Sequence, residues 1–375
     1  MGRRLKLGLN TGYWAGGPPA GAADAIAEAE RLGFDSVWCS EAYGSDALTP
    51  LAWWGSRTER VRLGTAIVQM SARQPAATAM AAMTLDHLSG GRFVLGLGVS
   101  GPQVVEGWYG MPFEKPLART REYVGILRDI WARREPVTSS GPHYPLPARA
   151  GPGVVGLGKP LKASIHPFRE DIPVFLAAEG PKNVALAAEL CDGWVAMLLS
   201  PHERFYEEAL AEGFARPGAR RTAEAFEVAA MVPFIVHDDV EAAVDMVRPF
   251  YALYLGGMGA KRGQNFHANV AIRMGYEREI EEIQDLYLDG KKNEAAALIP
   301  SELIQKMSLL GPPEKIRDDL AAWRSMAWSP WISSVVTNES SHASRSWRIL
   351  SAGPSSDIFW ISSEGIIAAA WTFLP

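Results

Sequence analysis

The sequence predicts a closed parallel α/β barrel, and three observations carry that prediction. Apolar runs of strand length recur along the chain: LKLGLN (5–10), SVWCSE (36–41), VRLGTAIVQ (61–69), FVLGLGV (93–99), IPVFLAA (172–178), GWVAMLL (193–199) and FEVAAMVPFIV (226–236). Strands without a polar face belong in a parallel sheet covered on both sides. Helical patterns separate these runs, as β/α alternation requires. Seven such strands before residue 240 of a 375-residue chain suit a barrel of about 250 residues with insertions better than an open sheet.

The elements follow in order. After the first strand an alanine-rich helix closes at Gly33, a helix-terminating glycine. Further helices are expected at Ala76–Leu88, Thr120–Arg134, Pro181–Leu190 and Asp239–Leu255. Residues 136–172 are rich in Pro and Gly and lack periodicity, which reads as a lid or binding loop, with surface elaboration or an oligomer contact as the alternative. Residues 256–310 form a second insertion, open to the same two readings. PPEKIRDDLAAWR (312–324) is a capped amphipathic helix that should lead into strand eight. From Ser325 the composition changes: the last 51 residues hold 13 serines and 5 of the 13 tryptophans, no lysine and 3 acidic residues. The expectation is a barrel over 1–324 and an atypical, out-of-frame segment over 325–375, with WISSVVT (331–337) as a loosely bridging, defective strand eight.

Composition excludes several function classes. A net charge of −5 without a basic block argues against nucleic acid. No apolar run approaches the roughly 20 residues of a membrane span, and MGRRLKLGLN lacks a signal-peptide core. Two cysteines, Cys39 and Cys191, suit a reducing cytoplasm rather than a disulfide framework. No histidine or cysteine spacing matches a metal site, so no metal is expected. A small-molecule substrate is the expected partner, and a homodimer the expected oligomer if there is one.

RFVLGLGVSGPQ (92–103) contains G-x-G-x-x-G at Gly96, Gly98 and Gly101. A Rossmann turn must open a helix facing the pyrophosphate. Here PQVVEGWYGMPFEKP follows, too rich in Gly and Pro for a long helix, and Glu122 about 20 residues on falls inside a helix. The glycines instead suit a strand entering a wide loop at the barrel rim, where a flat cofactor can approach the backbone.

LGTAIVQ, LDHLSGGRFVLGLGVSG, IPVFLAAEGPKNVALAAELCDGW and LLGPPEKIRDDLAAW, in this order, resemble the luciferase-like flavin and deazaflavin oxidoreductases, and most closely the coenzyme F420-dependent branch. The resemblance spans roughly residues 5–324. It implies a TIM barrel with an insertion region, coenzyme F420 or FMN at the C-terminal rim, and hydride transfer at the cofactor's central ring.

Several residues acquire roles on this basis. AAEGPKN (177–183) is a phosphate candidate at a helix N-terminus, and the resemblance puts the cofactor phosphate on Ala178, Glu179, Gly180, Pro181 and Lys182; an ordinary strand-to-helix turn is the alternative. The resemblance also implies a cis peptide at Ala66–Ile67 behind the cofactor ring, with Gln69, Gly98, Val99 and Ser100 around it. Arg73 would meet an anionic cofactor tail or stand as a solvated surface arginine. Glu41 ends strand two, where barrels place catalytic side chains, and is the candidate for acid–base or ring-positioning work; a helix-capping carboxylate is the alternative. Ala42 and Gly101 stand where some F420-dependent sugar-phosphate dehydrogenases have a histidine and an acidic residue, which argues against that chemistry. Tyr13, Trp14 and Trp108 could wall an apolar substrate pocket, and His143 could close on substrate from the insertion loop. Trp53 and Trp54 read as core, as do Met70, Met80 and Met83. Three functions follow: an F420-dependent oxidoreductase acting on a small organic molecule, an FMN-dependent monooxygenase, or an inactive cofactor-binding protein.

Overall fold

The computed structural model describes residues 5–14, 16–258, 263–324 and 326, and the backbone of strands at 329–336, 347–351 and 358–362. All seven expected strands form: β1 (Lys6–Asn10), β2 (Ser36–Cys39), β3 (Arg62–Thr65) continued by β4 (Val68–Gln69), β5 (Phe93–Gly98), β6 (Val174–Ala177), β7 (Gly193–Met197) and β8 (Glu227–Val236). Each pairs in parallel with the next. A short β9 (Leu309–Gly311) extends the pairing at the far end of β8. The ring is closed by β10 (Ser329–Val336), which registers with β8 along all eight residues and with β1 from Lys6 to Leu9. Residues 331–336 of this stretch thus stand where strand eight was expected, all six paired with β8 and Trp331–Ser334 also with β1; Thr337 lies outside the described residues. Strands β11 (Trp347–Ser351) and β12 (Ile358–Ser362) pair antiparallel in a separate two-stranded sheet. The rest of the expected out-of-frame segment lies outside the described residues.

The outer helices are α1 (Ala22–Arg31), α2 (Leu48–Gly55), α3 (Pro75–Leu88), α4 (Pro102–Gly107), α5 (Pro116–Ala132), α6 (Pro181–Leu190), α7 (Glu207–Ala215) and α8 (Val240–Ala252). In the second insertion come α9 (Ala268–Arg273), α10 (Glu277–Leu288), α11 (Lys292–Ala297) and α12 (Ser301–Lys306), and α13 (Pro313–Arg324) returns to the barrel. Trp54 and Met83 are buried as expected. Trp53 and Met80 are not: both are about two-thirds exposed on outer helix faces, because an alanine-rich or short helix carries no strict apolar stripe to predict its buried side.

The barrel interior is packed around Trp38, which is 1% exposed and lies 5.9 Å from the Phe175 ring. Its indole fits because the flanking strands carry glycine. A methyl group on Gly64 would sit 2.3 Å from Trp38 Cε3, and one on Gly8 2.9 Å from Nε1. At the N-terminal end of the barrel the first residues of three strands meet, Glu227 accepting ion pairs from Lys6 and Arg62. Burial favours the neutral Glu227, but the Arg62 and Lys6 charges outweigh it and hold its pKa below the usual range. These ion pairs occupy this end, and the cavity opens at the other.

The first insertion packs away from the cavity. Its two short bridges, Val137 with Leu161 and Ser139 with Leu146, fold it over α5, where the Glu122 carboxylate accepts bonds from the His143 and Tyr144 amides. No described residue of 136–172 lines the cavity, whereas the second insertion builds one of its walls.

Candidate active site

A cavity of about 690 Å³ opens where the barrel strands end at their C-terminal rim. Strand β3 breaks off at Thr65, and the Ala66–Ile67 peptide that follows is cis, at the bond the resemblance implied. The glycines of β5 make room for this break. A methyl group on Gly96 would lie 1.8 Å from the Thr65 carbonyl oxygen, and one on Gly98 2.7 Å from Ile67 Cδ1. The Thr65 hydroxyl bonds both the amide and the carbonyl of Gly96 at 2.8 Å. The repeated glycines therefore serve close strand packing behind the cavity floor. The chain beyond Gly101 forms only the six-residue α4, so the fingerprint is not a dinucleotide turn.

Glu41 is buried, 6% exposed, and lines the cavity from the end of β2. Its carboxylate accepts from the Gln69 amide at 3.0 Å and from Arg73 Nη1 at 2.9 Å, with Arg73 Nη2 2.7 Å from the second oxygen. This rules out the capping reading and places Arg73, which does not line the cavity, as the partner of Glu41 rather than a free surface charge. Burial works against the charged Arg73, yet the Glu41 carboxylate outweighs it and raises the arginine's pKa.

Across the cavity, β6 ends at Ala177, residues 178–180 form the turn, and α6 begins at Pro181. Gly180 is in extended conformation, φ −75° and ψ 138°, and nothing lies within 4 Å of where its Cβ would be. Ala178, Glu179, Gly180 and Lys182 line the cavity and Pro181 does not. The Glu179 side chain turns toward His267, whose Nδ1 lies 2.6 Å from Oε1. Arg273 holds the Glu179 carbonyl at 2.8 Å. A carboxylate beside a phosphate-binding turn would repel the anion; here it is directed at a histidine. Gln69 Oε1, Gln103 Oε1 and Asn183 Oδ1 are buried at the cavity without a protein hydrogen-bond partner, which orphaned polar atoms seldom tolerate unless a ligand or water completes them.

Tyr13 and Trp14 line the cavity from the end of β1. The Tyr13 hydroxyl meets Tyr254 at 3.2 Å, and burial pushes both phenols up, so both stay protonated. Trp108 and His143 do not belong to this wall. Trp108 is 62% exposed on the outer side of the rim, its ring 6.3 Å from that of Tyr43, and His143 is held in the first insertion. The residues that sequence reasoning missed come mostly from the second insertion: Tyr254, Met258, Phe266, His267, Tyr287 and Lys292. Tyr254 sits in a π-helical turn, Leu253–Gly257, that ends α8. Such turns gather at functional sites, but no residue pattern announces them.

Residues 7–329 match the luciferase-like monooxygenase family. The chain belongs to that family. It is 58% identical over 322 residues, 86% of this chain and 92% of the relative, to a Mycobacterium tuberculosis protein named "Putative coenzyme F420-dependent oxidoreductase". It is 28% identical to the 5,10-methylenetetrahydromethanopterin reductase of Archaeoglobus fulgidus, covering 77% of this chain and 81% of that one. Among solved structures, the coenzyme F420-dependent tetrahydromethanopterin reductase of Methanopyrus kandleri superposes with a TM-score of 0.72 at 21% identity, covering 88% of this chain and 93% of that one. An F420-dependent secondary alcohol dehydrogenase, solved with an F420–acetone adduct, gives 0.65 at 17% over 88% and 94%. At these identities the structures speak for the luciferase-like barrel fold. Among the described residues no helix is long and apolar enough to cross a membrane.

Proposed function

We propose that this protein is an oxidoreductase that binds coenzyme F420 at the barrel rim and transfers hydride between it and a small organic substrate in the cytoplasm. The observation that carries the reading is the rim cavity itself. A flat backbone floor at Ala66–Ile67 faces, across the cavity, an open turn at Gly180, with unsatisfied polar atoms between them. The name of the 58% identical relative supports the choice of cofactor. These residues fit the group: Ala66, Ile67 and Gln69, with Gly98, Val99 and Ser100, would hold its ring, and the turn from Ala178 to Lys182 its phosphate.

When bound, F420 supplies the hydride chemistry, and the protein supplies binding, orientation and exclusion of water. Glu41 positions Arg73 and the Gln69 backbone beneath the ring site. Its Oε1 accepts from both donors and its Oε2 faces Arg73 in an ion pair without a hydrogen bond, so we assign Glu41 the positioning role and proton transfer to another residue. Tyr13 and Trp14 wall the substrate side with the second insertion. Fluorescence titration with F420 and with FMN tests the reading: F420 should bind at least tenfold more tightly. Preference for FMN would replace the deazaflavin assignment with a flavin one.

A further inference from the structure

We propose that His267, oriented by Glu179, is the residue that gives a proton to and takes it from the substrate oxygen, which makes the substrate a carbonyl compound or the matching alcohol. The proposal rests on the oxidoreductase reading above and deepens it.

His267 is the one histidine among the cavity-lining residues. Its Nδ1 lies 2.6 Å from Glu179 Oε1. An ionised carboxylate only accepts, so Nδ1 carries the hydrogen, and Nε2 is left as the working nitrogen. No protein hydrogen bond engages Nε2 among the described residues. Glu179 and Tyr254 hold the ring and Asn265 holds the backbone beneath it. The Tyr254 ring meets the imidazole edge-on at 4.9 Å. Asn265, 2% exposed, accepts from the His267 amide at 3.1 Å and donates to the Tyr254 and Leu255 carbonyls. Glu179 is in turn fixed through its carbonyl by Arg273. A carboxylate that sets the tautomer of an otherwise free imidazole is the arrangement general acid–base catalysis uses.

Three other groups facing the cavity are already engaged: Glu41 in its ion pair with Arg73, and the Tyr13 and Tyr254 phenols with each other. Ala42 and Gly101 offer no titratable group at the ends of β2 and β5.

In reduction the carbonyl carbon takes a hydride, with its electron pair, from the reduced deazaflavin, which is thereby oxidised by two electrons. The C=O π pair moves to oxygen and takes the Nε2 proton of His267, giving the alcohol and a neutral imidazole that is reprotonated from solvent. Oxidation runs the same steps backward. The charged and titratable groups around His267 are Glu179, Tyr254 and Arg273, with Lys182 and Lys292 lining the same cavity.

The test has two arms. Without cofactor, NMR of the imidazole nitrogens should show the Nδ1–H tautomer in the wild type and a mixture of the two tautomers in Glu179→Ala. With F420H2 and 2-octanone as the probe ketone, His267→Gln should lower kcat at least about 100-fold with F420 affinity changed less than threefold, and Glu179→Gln should shift the basic limb of the kcat profile downward. An Nε2–H tautomer, turnover unaltered in His267→Gln, or F420 affinity that falls as far as kcat overturns the proposal alone. Wild-type protein that binds F420 but leaves the ketone unreduced overturns the carbonyl assignment. Failure to bind F420 overturns the function reading and this proposal with it.

Discussion

At the scale of single residues, the site is governed by what each polar group is already bound to. Glu41 was legible in the sequence as a rim carboxylate, because strand ends in a barrel point their side chains at the cavity. Its bond to Arg73 was not legible, since 32 residues separate them and no periodicity links them. The pairing changes the expected phenotype. Removing one partner of a buried pair strands the other charge, at a cost of about 3 kcal/mol. Glu41→Gln keeps an acceptor for Arg73 but loses the charge. It should lower turnover at least tenfold while F420 affinity changes less than threefold, measured by steady-state kinetics and titration. Equal losses in both would make Glu41 a cofactor contact instead. At Gly180 the backbone is extended, a conformation open to any residue, and the added side chain would meet only cavity space. Gly180→Val should therefore leave Tm within about 2 °C and weaken F420 binding at least tenfold. Unchanged affinity in the folded variant would remove the phosphate from this turn.

Elements show why the fold was easier to read than the site. Continuous apolar runs marked all seven strands up to residue 236, because burial on both faces leaves its signature in the residues themselves. The wall supplied by the second insertion left no such mark, since Phe266, His267, Lys292 and Tyr287 meet only through tertiary packing. Trp38 belongs to the same class of hidden fact: the apolar run placed it in β2, and only the barrel shows that β1 and β3 carry glycine to admit its indole. Gly64→Ala should cost roughly 1–3 kcal/mol by overpacking, read as a lower urea midpoint, and an unchanged midpoint would mean that the barrel interior yields. On the outside, Glu189 of α6 joins α5 and α7 through Arg121 and Arg216. Arg121 first, and then Arg216 against the opposing effect of burial, hold the Glu189 pKa down at about 2 from an ordinary 4.5. A depressed carboxylate stabilises the folded state fully above the unfolded pKa and loses that contribution as pH falls toward the folded one. The stability gap between wild type and Glu189→Gln, from urea unfolding, should thus narrow from pH 5 to pH 2.5. A constant gap would show that the two arginines do not hold this carboxylate.

For the whole molecule the decisive matter is closure. A barrel lacking one strand leaves two edges with unpaired amides and carbonyls, which invites fraying and association. Here β10 pairs β1 on one side and β8 on the other, while β11 and β12 pair only with each other in a sheet apart from the barrel. The family match ends at residue 329, close to the point where serine and tryptophan begin to crowd the sequence. We infer that residues 329–336 serve the barrel as its closing strand, inside the segment 325–375 that composition marks as out of frame, and that the barrel's stability does not need the chain beyond them. Two truncations separate these roles. A chain ending at Val336 keeps the closing strand and should hold Tm within about 2 °C and bind F420 as the full chain does. A chain ending at Trp328 opens the ring; for a domain of this size each kcal/mol lost lowers Tm by about 2 °C or more, and a missing central strand should lower it by at least 10 °C. Hydrogen exchange gives the complementary reading, since the amides of 331–334, in the stretch flanked by β1 and β8, should exchange as slowly as those of β1. If the shorter chain melts with the full one, or if those amides exchange as fast as free backbone, the eighth strand contributes nothing and the barrel is held by its other seven.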